Sequence, residues 1–125
     1  MSKGYLVRHI DDVEPVPCPC GSSTRPITIK DTPLLNFHVT HIQDSVKHYH
    51  KEATEVYYIL EGSGFMELND ETVPLRPGLV ILIEPYTAHR GYGDFRTIVV
   101  GVPAARHDDE FFVQDGAEAV AAVGG

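Results

Sequence analysis

No stretch of these 125 residues approaches the ~20 consecutive apolar side chains of a membrane-spanning helix, so none is expected. Basic charge is scarce as well. Ten Lys and Arg stand against 18 Asp and Glu, a formal net charge of −8, and a chain so charged repels a phosphate backbone. Nucleic acid is therefore not an expected partner. Cysteine is limited to Cys18 and Cys20, with Pro19 between them. A bridge across so short a loop would be strained, two thiols alone make a poor structural zinc site, and both are expected as loop residues that argue nothing for secretion. The first ten residues alternate polar and apolar and place Arg8 and His9 where a signal peptide needs its apolar stretch, which makes the cytoplasm the expected location. There is no internal repeat and no low-complexity tract. With 42% hydrophobic residues, the composition is that of one soluble globular domain over residues 1–125.

Strand signal is what the chain does have. Apolar runs recur between clusters of Gly, Pro, Asn and Asp, and they predict strands near residues 27–30, 34–42, 46–50, 55–61, 65–68, 72–75, 79–83 and 95–102. So many short strands point to an all-β closed or sandwiched sheet. Turns are expected at 31–33, 61–64, 69–71, 76–78 and 91–94 from their turn-forming residues. Prolines at 15, 17, 19 and 26 mark 15–26 as an ordered arm or loop without ladder pairing. The alanine-rich stretch 116–123 reads either as one or two helical turns or as a fraying end.

His48, His50 and Glu55 lie close together. Side chains two apart on a strand share a face, so His48 and His50 can offer imidazole nitrogens to one point while Tyr49 points away. The polar stretch 51–54 reads as a hairpin turn returning Glu55 to that point, which would draw three metal ligands from one hairpin. His89, beyond the strand at 79–83 and a turn at 84–88, is the best-placed fourth. If no metal is held, His48 and His50 are surface histidines and His89 caps a loop.

This pattern resembles the cupin superfamily. Its first motif runs His, one residue, His, three or four residues, Glu, six residues, Gly, and His48, His50, Glu55 and Gly62 match it in full. In the second motif Gly78 and His89 match, whereas its proline, second glycine and closing asparagine fall at Glu84, Tyr86 and Gly93, and the glycine expected before His48 falls at Ile42. These departures concern loop geometry and touch none of the ligands. The resemblance covers residues 24–103 and implies a double-stranded β-helix, the cupin jelly-roll barrel, with a short irregular N-terminal arm (1–23) and a C-terminal tail (104–125). It also implies one divalent transition metal ion on His48, His50, Glu55 and His89. Three imidazoles and a carboxylate suit Fe, Mn, Ni, Co, Cu or Zn without choosing among them. An octahedral ion so held keeps two positions for water, dioxygen or substrate, and a site charge of about +1 favours small anionic, oxygen-bearing molecules.

Period-two alternation turns Glu55, Tyr57 and Ile59 to one face and Val56, Tyr58 and Leu60 to the other; Asn36, His38 and Thr40 likewise share a face. Tyr57 and His38 are candidate catalytic residues, each equally readable as an interior side chain. Thr40 and Arg25 are candidate substrate-binding residues. Arg25 would pair with a carboxylate or phosphate at the barrel mouth, or else form a surface salt bridge. The run His107, Asp108, Asp109, Glu110 is expected as a solvated turn leading to an apolar anchor at Phe111 and Phe112.

Fold does not name a reaction. The expected function is metal-dependent Lewis-acid chemistry of the isomerase, lyase or decarboxylase type on a small oxygenated acid or sugar derivative. An Fe(II)-dependent dioxygenase and a non-catalytic small-molecule-binding module are the alternatives, and the lack of a helix-turn-helix segment weighs against a transcriptional sensor. Exposed sheet edges need cover, which makes a homodimer the expected assembly.

Overall fold

Strands distant in sequence pair with one another, and that pairing builds the cavity described below. The computed structural model describes residues 3–113 and 120–121. In chain order the strands are β1 (Val16–Cys18), β2 (Gly21–Ile27), β3 (Asn36–Asp44), β4 (His48–Tyr49), β5 (Thr54–Leu68), β6 (Glu71–Leu75), β7 (Val80–Ile83), β8 (His89–Val102), β9 (Phe111–Phe112) and β10 (Val120–Ala121). Short 3-10 turns occupy Ile10–Asp12 and His107–Asp109. The fold is all-β, and the strands form one curled sheet of antiparallel pairs. β8 is its hub, bonded to β3 and β4 on one side and to β5 along nearly its whole length on the other. No helix among the described residues is long and apolar enough to cross a membrane.

Two expected turns are absent. Residues 61–64 run through the middle of β5, joining the strands expected at 55–61 and 65–68, and residues 91–94 lie within β8, which begins at His89 and not at 95. Their glycines serve close backbone approach instead of chain reversal. Gly93 has φ +124, and a Cβ on it would stand 2.6 Å from the Cα of Gly64 on the paired strand. Gly62 has φ +91, and a Cβ there would collide with the Asp94 carbonyl oxygen. Glycine alone tolerates both demands.

The proline-rich arm is also built into the sheet. β1 pairs with β2 and β2 with β3, so residues 16–18 and 21–24 of this stretch do carry ladder pairing. Proline removes only its own N–H; Pro17 lies on the short β1, and Pro26 falls where the β2–β3 register shifts between Thr24 and Ile27. The β1–β2 register sets Cys18 opposite Gly21, which brings the Cα atoms of Cys18 and Cys20 to 5.2 Å, and the two form a disulfide. That separation lies within the range a bridge requires, so the expectation of two loop thiols is corrected. The strand expected at 27–30 ends at Ile27, because the following residues turn around Asp31. Its carboxylate accepts the Thr28 N–H at 3.0 Å and is clasped by Arg8 at 2.8 and 2.9 Å.

Ile42, Tyr57, Ile59, Met66, Leu75, Ile81, Ile83, Phe95 and Val99 form the core. Ile59 and Met66 are fully buried, and burying side chains of this size stabilises the fold by roughly 1.5–3 kcal/mol each. The expectation for 116–123 lies outside the described residues except at Val120–Ala121, which pair with β9 as strand.

Candidate metal centre and cavity

Three strand ends and one loop bring the four candidate ligands together. His48 opens β4 and stands opposite His89, the first residue of β8. His50 lies just past β4 and Glu55 is the second residue of β5. β4 pairs with β8 and β9, whereas β5 pairs with β6, β7 and β8. The expected hairpin between them is thus corrected to a crossing loop, because its backbone N–H groups are taken by Asp109 and not by a facing strand.

One ligand atom from each of His48, His50, Glu55 and His89 lies within 4.8 Å of all the others. Glu55 Oε1 is 3.2 Å from both His50 Nε2 and His89 Nε2. These three atoms are buried, yet none is aligned with a hydrogen-bond partner. A buried polar atom left unpaired costs about 1–3 kcal/mol, and three converging on one point fit the lone pairs of a cation site. The far side of each ring supports the same reading. His48 Nδ1 donates to the Val46 carbonyl at 2.7 Å, His50 Nδ1 to the Asp109 carbonyl at 2.6 Å and His89 Nδ1 to the Thr87 carbonyl at 2.9 Å. A carbonyl only accepts, so each Nδ1 carries a proton and each Nε2 faces inward as the atom a cation would bind. The residues present could hold one metal ion.

Burial, reinforced by His89, pulls the His48 imidazole down to about 4. Burial also opposes charge on His50, but the Glu55 carboxylate beside it outweighs that and raises it to about 9, so without an ion the ring also carries a proton on Nε2, which a bound cation would displace. Glu55 is itself held below the usual carboxylate range: burial pushes it up, and His50 and His89 overcome that push.

A cavity of about 420 Å³ opens from this point, and Arg25, His38, Thr40 and Tyr57 all line it. Tyr57 and Ile59 are buried whereas Tyr58 and Leu60 are exposed, the alternation that strand period demands. Burial, with Arg25 nearby, lowers His38 to about 4, so its ring is neutral at pH 7. Burial and the charges of Glu55 and Glu110 push the Tyr57 hydroxyl well above its ordinary value, which keeps it protonated. The Thr40 hydroxyl shares a hydrogen bond with Ser23 at 3.1 Å. Arg25 Nε donates to Ser23 Oγ at 3.3 Å, and burial lowers its pKa despite Glu110. No carboxylate among the described residues pairs with Arg25, in contrast to Arg8, Arg90, Arg96 and Arg106.

Two residues in the supposed solvated turn belong to the site. Asp109 is 5% exposed. Glu110 lines the cavity with Oε1 3.9 Å from His48 Nε2, and burial pushes its carboxyl up. Of the four, His107 and Asp108 are exposed as a surface turn would be. The signal that could have found the pair is the apolar Phe111–Phe112 directly after it, which adds β9 beside β4 and draws the acids inward. Tyr49 and Phe111 stack there, with ring centroids 5.5 Å apart.

Residues 37–102, just over half of the chain, match a family model described as Cupin domain. An uncharacterised protein of Methanocaldococcus jannaschii is 35% identical over 66 residues, covering 50% of this chain and 53% of that protein. A glucose-6-phosphate isomerase of Thermococcus onnurineus is 44% identical over 50 residues, covering 34% of this chain and 26% of the isomerase. The chain thus spans about half, or less, of the length of these curated relatives. A crystal structure of a protein from Planctomyces limnophilus superposes with a TM-score of 0.83 at 30% identity, over 90% of this chain and 100% of that one.

Proposed function

The chain belongs to the cupin family, and on that premise we propose that it is a metal-dependent enzyme acting on a small, oxygenated, anionic metabolite by isomerase-, lyase- or decarboxylase-type chemistry. The observation that carries this reading is the convergence of three unpartnered buried atoms, on His50, Glu55 and His89, at one end of a cavity that also holds a guanidinium with no carboxylate partner among the described residues. His48, His50, Glu55 and His89 would hold one divalent transition metal ion, which when bound supplies Lewis acidity toward a substrate oxygen.

The remaining roles fall to the cavity wall. Arg25 binds the anionic group of the substrate, and the Thr40 hydroxyl offers it a hydrogen bond beside Ser23. His38, neutral at pH 7, accepts a proton, and Tyr57, held protonated, donates a hydrogen bond or a proton. Similarity to a glucose-6-phosphate isomerase over 50 residues supports a sugar phosphate among the anionic substrates. A cytoplasmic homodimer completes the proposal. Exposed Tyr58, Val80 and Leu82 put apolar surface on β5 and on β7, whose described pairing is to β5 alone, so a second copy would cover both face and edge. Gel filtration returning a monomer would remove that part.

The test is elemental analysis of protein purified without a histidine tag and then dialysed against each candidate ion. About one ion per chain is expected. Wild-type protein that holds none would overturn the reading, as would full occupancy in His50→Ala. Oxygen uptake by the iron-loaded protein with small acids would replace Lewis-acid chemistry with oxygenation.

A further inference from the structure

Two of the three imidazoles are oriented locally and one is not. His48 and His89 each donate Nδ1–H to the carbonyl two residues earlier in the chain, Val46 and Thr87. His50 donates to the carbonyl of Asp109, 59 positions downstream. The same residue grips the loop that carries His50 into β5. Asp109 Oδ1 accepts the N–H groups of Lys51 at 2.8 Å and Glu52 at 3.1 Å, and Oδ2 accepts that of Ala53 at 3.0 Å. Asp109 is 5% exposed and Ala53 is likewise buried, so water cannot easily replace these bonds. A carboxylate receiving several backbone N–H groups is a strong, directional clamp.

We propose that Asp109 is the positioning residue of the metal site: its carboxylate fixes the loop at 51–53 and its carbonyl fixes the ring of His50, so that metal affinity depends on the C-terminal segment docking against β4. This inference rests on the metal-binding reading above. The arrangement ties two ligands to one clamp, because the loop that leaves His50 arrives at Glu55. It also places Glu110, the next residue, against His48 on the cavity side. Without the carboxylate, the Asp109 carbonyl that holds the His50 proton on Nδ1 is no longer tied to the loop, and the crossing loop has no facing strand to take its N–H groups.

The experiment is Co(II) binding to the full chain, followed by competition with a chelator and by the visible ligand-field spectrum, in wild type, Asp109→Ala, Asp109→Asn and Leu75→Ala. Leu75 is buried on β6, which pairs with β5 alone, and its truncation lowers stability without touching the clamp. Asp109→Ala is expected to weaken Co(II) binding by roughly 10- to 100-fold and to alter its spectrum. Asp109→Asn keeps an acceptor for Lys51 and Glu52 but turns an amide toward the Ala53 N–H, so a smaller loss is expected; it carries the measurement if the alanine variant does not fold. Leu75→Ala should melt earlier yet bind Co(II) as wild type does. Wild-type affinity and spectrum in the Asp109 variants would overturn the proposal, and so would an equal loss in Leu75→Ala. If wild type itself takes up no Co(II), the metal-binding reading fails and this inference with it, an outcome separate from the others.

Discussion

A guanidinium that lines a cavity with no salt-bridge partner among the described residues is the residue-scale feature with the clearest consequence. Arg25 is half-buried and bonded to Ser23, while the other arginines engaged with carboxylates lie toward solvent. Hydrogen bonds to a charged group contribute about 1.5–3 kcal/mol, so Arg25→Gln should weaken binding of a small carboxylate or phosphate ligand by roughly 10- to 100-fold. Isothermal titration of the metal-loaded protein with hydroxy acids and sugar phosphates measures this, and unchanged affinity would remove Arg25 from the binding set. His38, Thr40 and Tyr57 were legible from alternation because a strand's period of two is a local property. Glu110 was read as solvated, since an acidic run does not itself show which member turns inward and only the apolar Phe111–Phe112 after it points that way.

At the scale of elements, the long strands β5 and β8 depend on glycines at their closest approach. Gly62→Ala adds a side chain where φ is +91 and where the Asp94 carbonyl already stands. A loss of roughly 2–4 kcal/mol is expected, read as a lower urea midpoint with the same slope. The N-terminal segment is tied to the turn after β2 by Arg8 and Asp31. Arg8, together with the Thr28 N–H, holds the Asp31 carboxyl down to about 2. A carboxyl of the unfolded chain titrates near ~3.9, so acid protonates the unfolded state first. The stabilisation from this contact is complete above about pH 4 and disappears as pH falls toward 2. The urea midpoint of wild type should accordingly exceed that of Asp31→Asn at pH 6, with the gap closing between pH 4 and pH 2. A gap independent of pH would show that the ion pair contributes nothing. Sequence spacing placed most strands correctly but misread 61–64 and 91–94, because glycine marks both a tight turn and a close crossing.

For the whole molecule, a metal ion held at this site would be coupled to the fold. The four ligands come from β4, the crossing loop, β5 and β8, so an ion bound among them links segments from residue 48 to residue 89. A ligand that binds only the folded chain adds about 4 kcal/mol at a thousandfold excess over its Kd. Removing the ion with a chelator should therefore lower Tm by several degrees, and restoring it should return Tm. Identical melting curves with and without saturating metal would contradict a tight site. The flanks take part in the same assembly. β1 and β2 extend the sheet beyond β3, and β9 packs beside β4, so the arm and tail expected at either end each contribute strands to the sheet.

What the sequence determined by itself is the part of the protein written in short-range periodicity. The all-β class and the shared face of His48 and His50 follow from local spacing, and the four candidate ligands from that spacing together with the resemblance to the cupin motifs. Tertiary structure alone decided which distant segments meet. It set Asp109 against the loop at 51–53, turned Glu110 into the cavity, brought Cys18 and Cys20 within bridging reach and made glycines into crossing points. The physical reason is that side-chain direction follows from local backbone repeat, whereas strand pairing across tens of residues is chosen by the collective burial and hydrogen bonding of the whole sheet.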